Sequence, residues 1–184
     1  RARGVKTVVI DPRLTPDGAK ADVWLPVRPG TDVALMLAWI RYILDHELFD
    51  REFVMKWTNL PYLVDTETKM LVRGKVSTDP GVPDTFMVWD QNTNSMKEMA
   101  YPWDERLSPA LFGTFTVNGK VYKTGAALLW ERVQEYTLEK AAEICWIDAS
   151  RIEKAIRMFT DNTPGGLALG VATDQTPNSV QAAM

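Results

Sequence analysis

The run Val8-Val9-Ile10 is apolar without a break, and it ends abruptly at Asp11-Pro12-Arg13. An unbroken apolar run is what a parallel strand buried on both faces requires, so a strand is predicted over residues 5–10. Proline removes a ladder donor and fixes the turn, so Asp11 and Arg13 should project from the carboxyl end of that strand. A second strand is predicted near residues 22–25, running through Pro26 and Val27 into Arg28-Pro29-Gly30. Thr31 or Asp32 then opens a helix over about residues 32–47. Leu35, Trp39, Tyr42 and Ile43 keep helical spacing there, and Val33, Met36, Leu37 and Ile40 widen the stripe beyond one face. Such a helix is mostly buried, and its aromatic residues are core. Its first N–H groups and positive dipole end suit an anion or a polar ligand edge. Open α/β sheets take ligands beyond the carboxyl ends of their strands. The two loops should therefore flank one nucleotide-sized crevice.

Asp50 is placed to cap the next helix, with Phe49 and Val54 as a hydrophobic staple, and that helix should halt before Pro61. Residues 62–123 change character. Short β-like runs at 69–72, 85–89, 114–117 and 120–122 alternate with turn residues, and Asn118-Gly119 is a two-residue hairpin signal. This stretch reads as an antiparallel insertion in an α/β domain made of residues 1–61 and 124–184. Three helices follow, over 126–136, 138–145 and 149–160, with Thr137 and Asp148 as caps of the last two and Ile147 and Ile152 as a staple. Pro164-Gly165-Gly166 turns the chain into an apolar strand at 167–171. The polar loop after it, which includes Asp174 and Gln175, belongs on the same ligand edge. The expected class is α/β: a Rossmann-like, mainly parallel sheet flanked by helices, with an antiparallel β-rich insertion.

Composition narrows the function more by exclusion than by assignment. The 184 residues are 46% hydrophobic and 24% charged, enough to bury a substantial core. A net charge of −3 gives no electrostatic case for nucleic acid. The single cysteine, Cys145, excludes an internal disulfide and a cysteine metal cluster within the chain, and reads as a small buried hydrophobe. His46, between Asp45 and Glu47 at a helix end, reads as a solvated residue favoured by the helix dipole. No membrane-spanning run, nucleophile–base pair, zinc spacing or phosphate-binding P-loop is present in the sequence. Arg1-Ala2-Arg3-Gly4 reads as the last turn of a helix and residues 178–184 as the start of another. The chain is thus expected to be a piece of a longer enzyme.

Val9-Ile10-Asp11-Pro12-Arg13 with Thr15, followed by Ala21-Asp22 and Leu25-Pro26-Val27-Arg28-Pro29-Gly30-Thr31-Asp32, resembles the molybdopterin oxidoreductase family related to dimethyl sulfoxide reductase. The likeness continues through Leu48-Phe49-Asp50-Arg51-Glu52-Phe53 and Tyr136-Thr137-Leu138-Glu139-Lys140-Ala141-Ala142. The insertion, with Leu-Phe-Gly and Val-Asn-Gly near its end, is similar to the branch around acetylene hydratase and the catechol dehydroxylases. The resemblance implies molybdenum or tungsten held between two pterin guanine dinucleotides. At the guanosine end of one dinucleotide it implies a site at Ile10, Asp11, Pro12, Arg13, Gly30, Thr31 and Asp32. Asp11 would accept from ribose, Arg13 would meet a phosphate or the ring, Asp32 would accept from guanine, and Gly30 would permit close backbone approach. Near the last loop, either Gly170 and Gln175 or Asp174 would approach the cofactor. The iron–sulfur cysteines and the metal ligand would lie elsewhere in the longer protein, so no catalytic or metal-ligating residue is expected here, and the piece alone should retain no cofactor. The remaining domains of the same polypeptide are the expected partners, and a separate iron–sulfur electron-transfer protein is a candidate. The compartment would be the cytoplasm or periplasm of a prokaryote. The alternative reading is a stand-alone nucleotide-binding or protein-interaction module without redox chemistry.

Overall fold

The structure, a computed structural model, describes residues 4–100 and 103–170. The chain divides into two compact units, Arg1–Phe49 with Val133–Met184, and Asp50–Arg132.

The first unit begins with β1 (Val8–Ile10), α1 (Pro16–Lys20), β2 (Val23–Leu25) and α2 (Asp32–Asp45). β1 and β2 pair in parallel, Val8 with Val23 and Ile10 with Leu25. Two short helices, α3 (Arg51–Trp57) of the second unit and α4 (Gly125–Val133), which runs to the boundary at Val133, come next in helix order. The first unit resumes with α5 (Leu138–Cys145) and α6 (Ala149–Thr160). Its core joins Val23, Leu25 and Val27 to Leu35, Ala38 and Tyr42 of α2, Ala141 and Cys145 of α5, and Ile152, Ala155 and Ile156 of α6. Of the predicted α2 stripe, Leu35 and Tyr42 are buried and Trp39 and Ile43 pack against the core, whereas Val33, Met36, Leu37 and Ile40 are only half-buried. Ala34 and Ala38 complete the buried face, and both members of the predicted Ile147–Ile152 staple lie in this core.

The expected Rossmann-like sheet is reduced in what is seen. Among the described residues the parallel sheet has two strands, β1 and β2. Residues 167–170 join no ladder, because an apolar run becomes a strand only where a partner edge meets it; Val171 lies outside the described residues. β1 is not covered on both faces either: Val8 and Val9 are half-buried and Ile10 is 41% exposed, whereas Leu25 opposite it is fully buried. In a strand the N–H and C=O of one residue point the same way. Leu25 accepts from Asp11 N on the β1 side, so the carbonyl of Trp24 faces the outer edge of β2, where the Arg151 guanidinium donates to it at 2.5 Å. The expected helical ends at residues 1–3 and 178–184 fall outside the described residues.

The strands of the second unit pair antiparallel, the pairing expected for residues 62–123, but the unit runs from Asp50 to Arg132 and so also takes in α3 and most of α4. β3 (Leu63–Asp65), β7 (Lys120–Thr124) and β6 (Thr114–Val117) form one sheet in that order, and β4 (Phe86–Asp90) pairs with β5 (Ser95–Met99) in another. Asn118 and Gly119 both have positive φ, 51° and 79°, as a two-residue hairpin of this twist demands. The run predicted at 69–72 folds back on β3 through Asp65 N to Met70 O and Val72 N to Leu63 O instead of forming its own strand. Leu63, Val88, Met99 and Leu111 are among the fully buried side chains of this unit, with Asp90 and Thr124 as its buried polar residues.

Candidate functional site

Parallel pairing brings the two polar loops to one edge. Ile10 lies opposite Leu25, so Asp11-Pro12-Arg13 and the Pro26-to-Asp32 segment both leave the carboxyl end of the pair. Asp11 is tied down twice through its backbone: its N–H donates to Leu25 O at 3.2 Å and its carbonyl accepts from the indole N–H of Trp24 at 2.9 Å. One oxygen of its carboxylate accepts from Arg13 N at 2.8 Å, which turns the chain back in an Asx turn and leaves Pro12 and Arg13 exposed. Thr15 then caps α1, a helix missed by the sequence reading although Thr15 followed by Pro16 is a helix-start signal. Gly18 of α1 lies against Trp24, where a Cβ would stand 3.3 Å from the ring.

The second loop is a tight turn. Gly30 has φ +81°, a conformation that glycine adopts without steric cost, and Thr31 N closes the turn onto Arg28 O at 3.2 Å. Thr31 is the N-cap of α2, yet its hydroxyl donates back to Arg28 O at 2.7 Å and makes no cap bond. The first turn of α2 therefore keeps N–H groups that no side-chain cap takes, beside the Asp32 carboxylate.

Support comes from the far end of α5. Arg28 N donates to Cys145 O at 3.1 Å, and Cys145 Sγ donates to Thr31 O at 3.5 Å. Burial pushes the Cys145 thiol above its ordinary range, with the nearby Asp32 charge adding to the effect, so this cysteine is a neutral packing group beneath the loop. Beside it, Trp146 is the C-cap of α5 in the left-handed conformation, φ +59°, and the Arg28 guanidinium sits 4.4 Å from the centre of its ring. The sequence reading assigned Trp146 no role. Its signal is the single residue, Ile147, left between the C-cap of α5 and the N-cap of α6 at Asp148, a spacing that forces a sharp turn.

Of the sequence-predicted residues, Ile10, Asp11, Pro12, Arg13, Gly30, Thr31 and Asp32 lie on this edge; Asp174 and Gln175 lie outside the described residues. Among the described residues no cluster of His, Cys, Asp and Glu could hold a metal ion, and no helix is long and apolar enough to cross a membrane. His46 is exposed and stacks on Tyr42, its Nδ1 2.9 Å from Tyr42 O, away from any such cluster.

A protein of Halobacterium salinarum assigned as the catalytic component of a dimethyl sulfoxide reductase is 33% identical to the chain over 167 residues, covering 91% of the chain and 20% of that protein. Acetylene hydratase of Syntrophotalea acetylenica is 31% identical over 180 residues, covering 98% of the chain and 16% of the relative. The chain is homologous to the molybdopterin oxidoreductases of the dimethyl sulfoxide reductase family. The solved acetylene hydratase from Pelobacter acetylenicus superposes with a TM-score of 0.58 at 30% identity, over 98% of the chain and 16% of that structure. Acetylene hydratase is thus among the relatives of the chain both in sequence and in structure. No protein-family model matches the chain. The chain spans 16–20% of the length of these relatives.

Proposed function

We propose that the β1–β2 edge anchors the guanosine end of a pterin guanine dinucleotide within a molybdenum- or tungsten-dependent oxidoreductase. The observation that carries this reading is the parallel register, which sets Asp11 and Arg13 on the same edge as the Arg28-to-Asp32 turn. The donor set fits the group. Guanine presents N1–H and its 2-amino group side by side, a pair that one carboxylate at the start of α2 can accept. The exposed Arg13 and the side-chain-uncapped first turn of α2 offer positive partners to phosphate oxygens. Gly30, with nothing within 4 Å of a built Cβ, leaves room for close approach. The cofactor, when bound, supplies the redox chemistry; this chain's residues bind and orient it. In that assembly the partners are the remaining domains of the polypeptide and an iron–sulfur electron-transfer subunit.

The test is Asp32→Ala in the full-length enzyme. Losing a pair of hydrogen bonds to a charged acceptor should weaken guanine nucleotide retention at least about tenfold, with metal lost in parallel. Asp32→Asn keeps one acceptor and should be intermediate. Unchanged cofactor and metal content in Asp32→Ala at normal thermal stability would reject the assignment.

A further inference from the structure

A tryptophan is a costly choice for the position that Trp146 occupies. Its backbone is left-handed, φ +59°, where a bulky side chain is an outlier and glycine is the ordinary occupant of a helix end. It nevertheless leaves 71% of its surface in solvent, so core packing does not account for it. One face of its ring lies under the Arg28 guanidinium at 4.4 Å. With that much surface open, the opposite face is available. The position is fixed to the candidate loop by two bonds from the neighbouring residue, Arg28 N to Cys145 O and Cys145 Sγ to Thr31 O. A rigid π surface, polarised by a cation on its back and held beside the turn that presents Asp32, matches a planar, electron-rich heterocycle.

We infer that Trp146, backed by Arg28, is the stacking wall for the purine base of the nucleotide bound at this edge, an affinity element separate from the hydrogen-bonding carboxylate that selects the base. This rests on the dinucleotide reading above. Asp32 selects guanine by its donor pair, whereas Trp146 supplies affinity through the ring face, which any purine possesses.

The experiment uses the full-length enzyme isolated without cofactor, with GMP and AMP as probes in equilibrium dialysis. Trp146→Gly and Trp146→Asn both suit the left-handed backbone and should fold, melting at or above the parent temperature. Both should bind GMP at least about fivefold more weakly, while Trp146→Phe should stay within about threefold of the parent. The GMP-to-AMP preference should persist in the Trp146 variants and collapse in Asp32→Ala. GMP binding unchanged in both the Gly and Asn variants, with Asp32→Ala still defective, would overturn the stacking role and leave the guanosine site standing. A lowered melting temperature in those two variants with intact GMP binding would overturn it as well, making Trp146 a packing residue for other parts of the enzyme. Absence of GMP binding by the parent protein would reject both readings.

Discussion

Asp90 is a buried carboxylate with a full complement of donors: Ser108 N at 2.7 Å, Thr93 N at 3.0 Å and Thr93 Oγ1 at 2.7 Å. The bond from Ser108, then that from the Thr93 hydroxyl, hold its pKa below the ordinary 3.8. A depressed folded-state pKa contributes stability that is complete above the unfolded value and is lost as pH falls through the folded one. The melting temperature of the Asp50–Arg132 unit within the enzyme should therefore decline below about pH 4, and Asp90→Asn should flatten that decline while lowering stability at neutral pH. A pH series of thermal melts on the two proteins checks this. At this scale the candidate edge was largely legible: Asp11, Arg13, Gly30 and Asp32 announce themselves as polar or glycine positions at the ends of apolar runs, and the parallel register brings their two loops together. Trp146 did not, because what singles it out is a backbone angle and a guanidinium from a residue 118 positions away in sequence, neither of which an apolar pattern encodes.

Among the elements, α5 is the one on which the loop depends. Thr137 accepts from Lys140 N at 3.0 Å to start it, and its last residues hold Arg28 and Thr31 to end it. Thr137→Ala should cost about 1 kcal/mol, the usual worth of an N-cap, and should loosen the turn at residues 28–32 as well as the helix. Hydrogen exchange in the full-length protein should show faster exchange at both places; exchange confined to the first turn of α5 would mean that the helix and loop are uncoupled. Helix starts were readable where a capping residue type and an apolar stripe coincide, as for α2, α5 and α6, although only Thr137 of α5 makes the side-chain cap bond while Thr31 and Asp148 do not. β5 was not readable: Ser95-Met96-Lys97-Glu98-Met99 contains no β-branched residue, and it is a strand because five positions of β4 pair with it. Strand pairing, a long-range property, also decides why residues 69–72 fold back on β3 and residues 167–170 join no ladder.

At the scale of the whole chain, each unit has its own buried core, one around Leu25, Leu35, Ile152 and Ile156 and one around Leu63, Val88, Met99 and Leu111. Shortening residues 63–123 to a turn in the full-length enzyme should accordingly leave guanine nucleotide and metal content near the parent value, measured by nucleotide release and elemental analysis. Loss of both would make the insertion part of the cofactor-binding fold. With one cysteine and one histidine, the 184 residues expressed alone should purify without stoichiometric iron, molybdenum or tungsten.

The bond from Arg151 to the Trp24 carbonyl has a consequence for how such a sheet can grow. An outward-facing backbone acceptor is an invitation to any passing strand, and here it is already engaged by a charged side chain that a newcomer would have to displace. Growth by an additional parallel strand is thereby directed to the far side of β1. The same plug makes the β2 margin a poor template for intermolecular pairing.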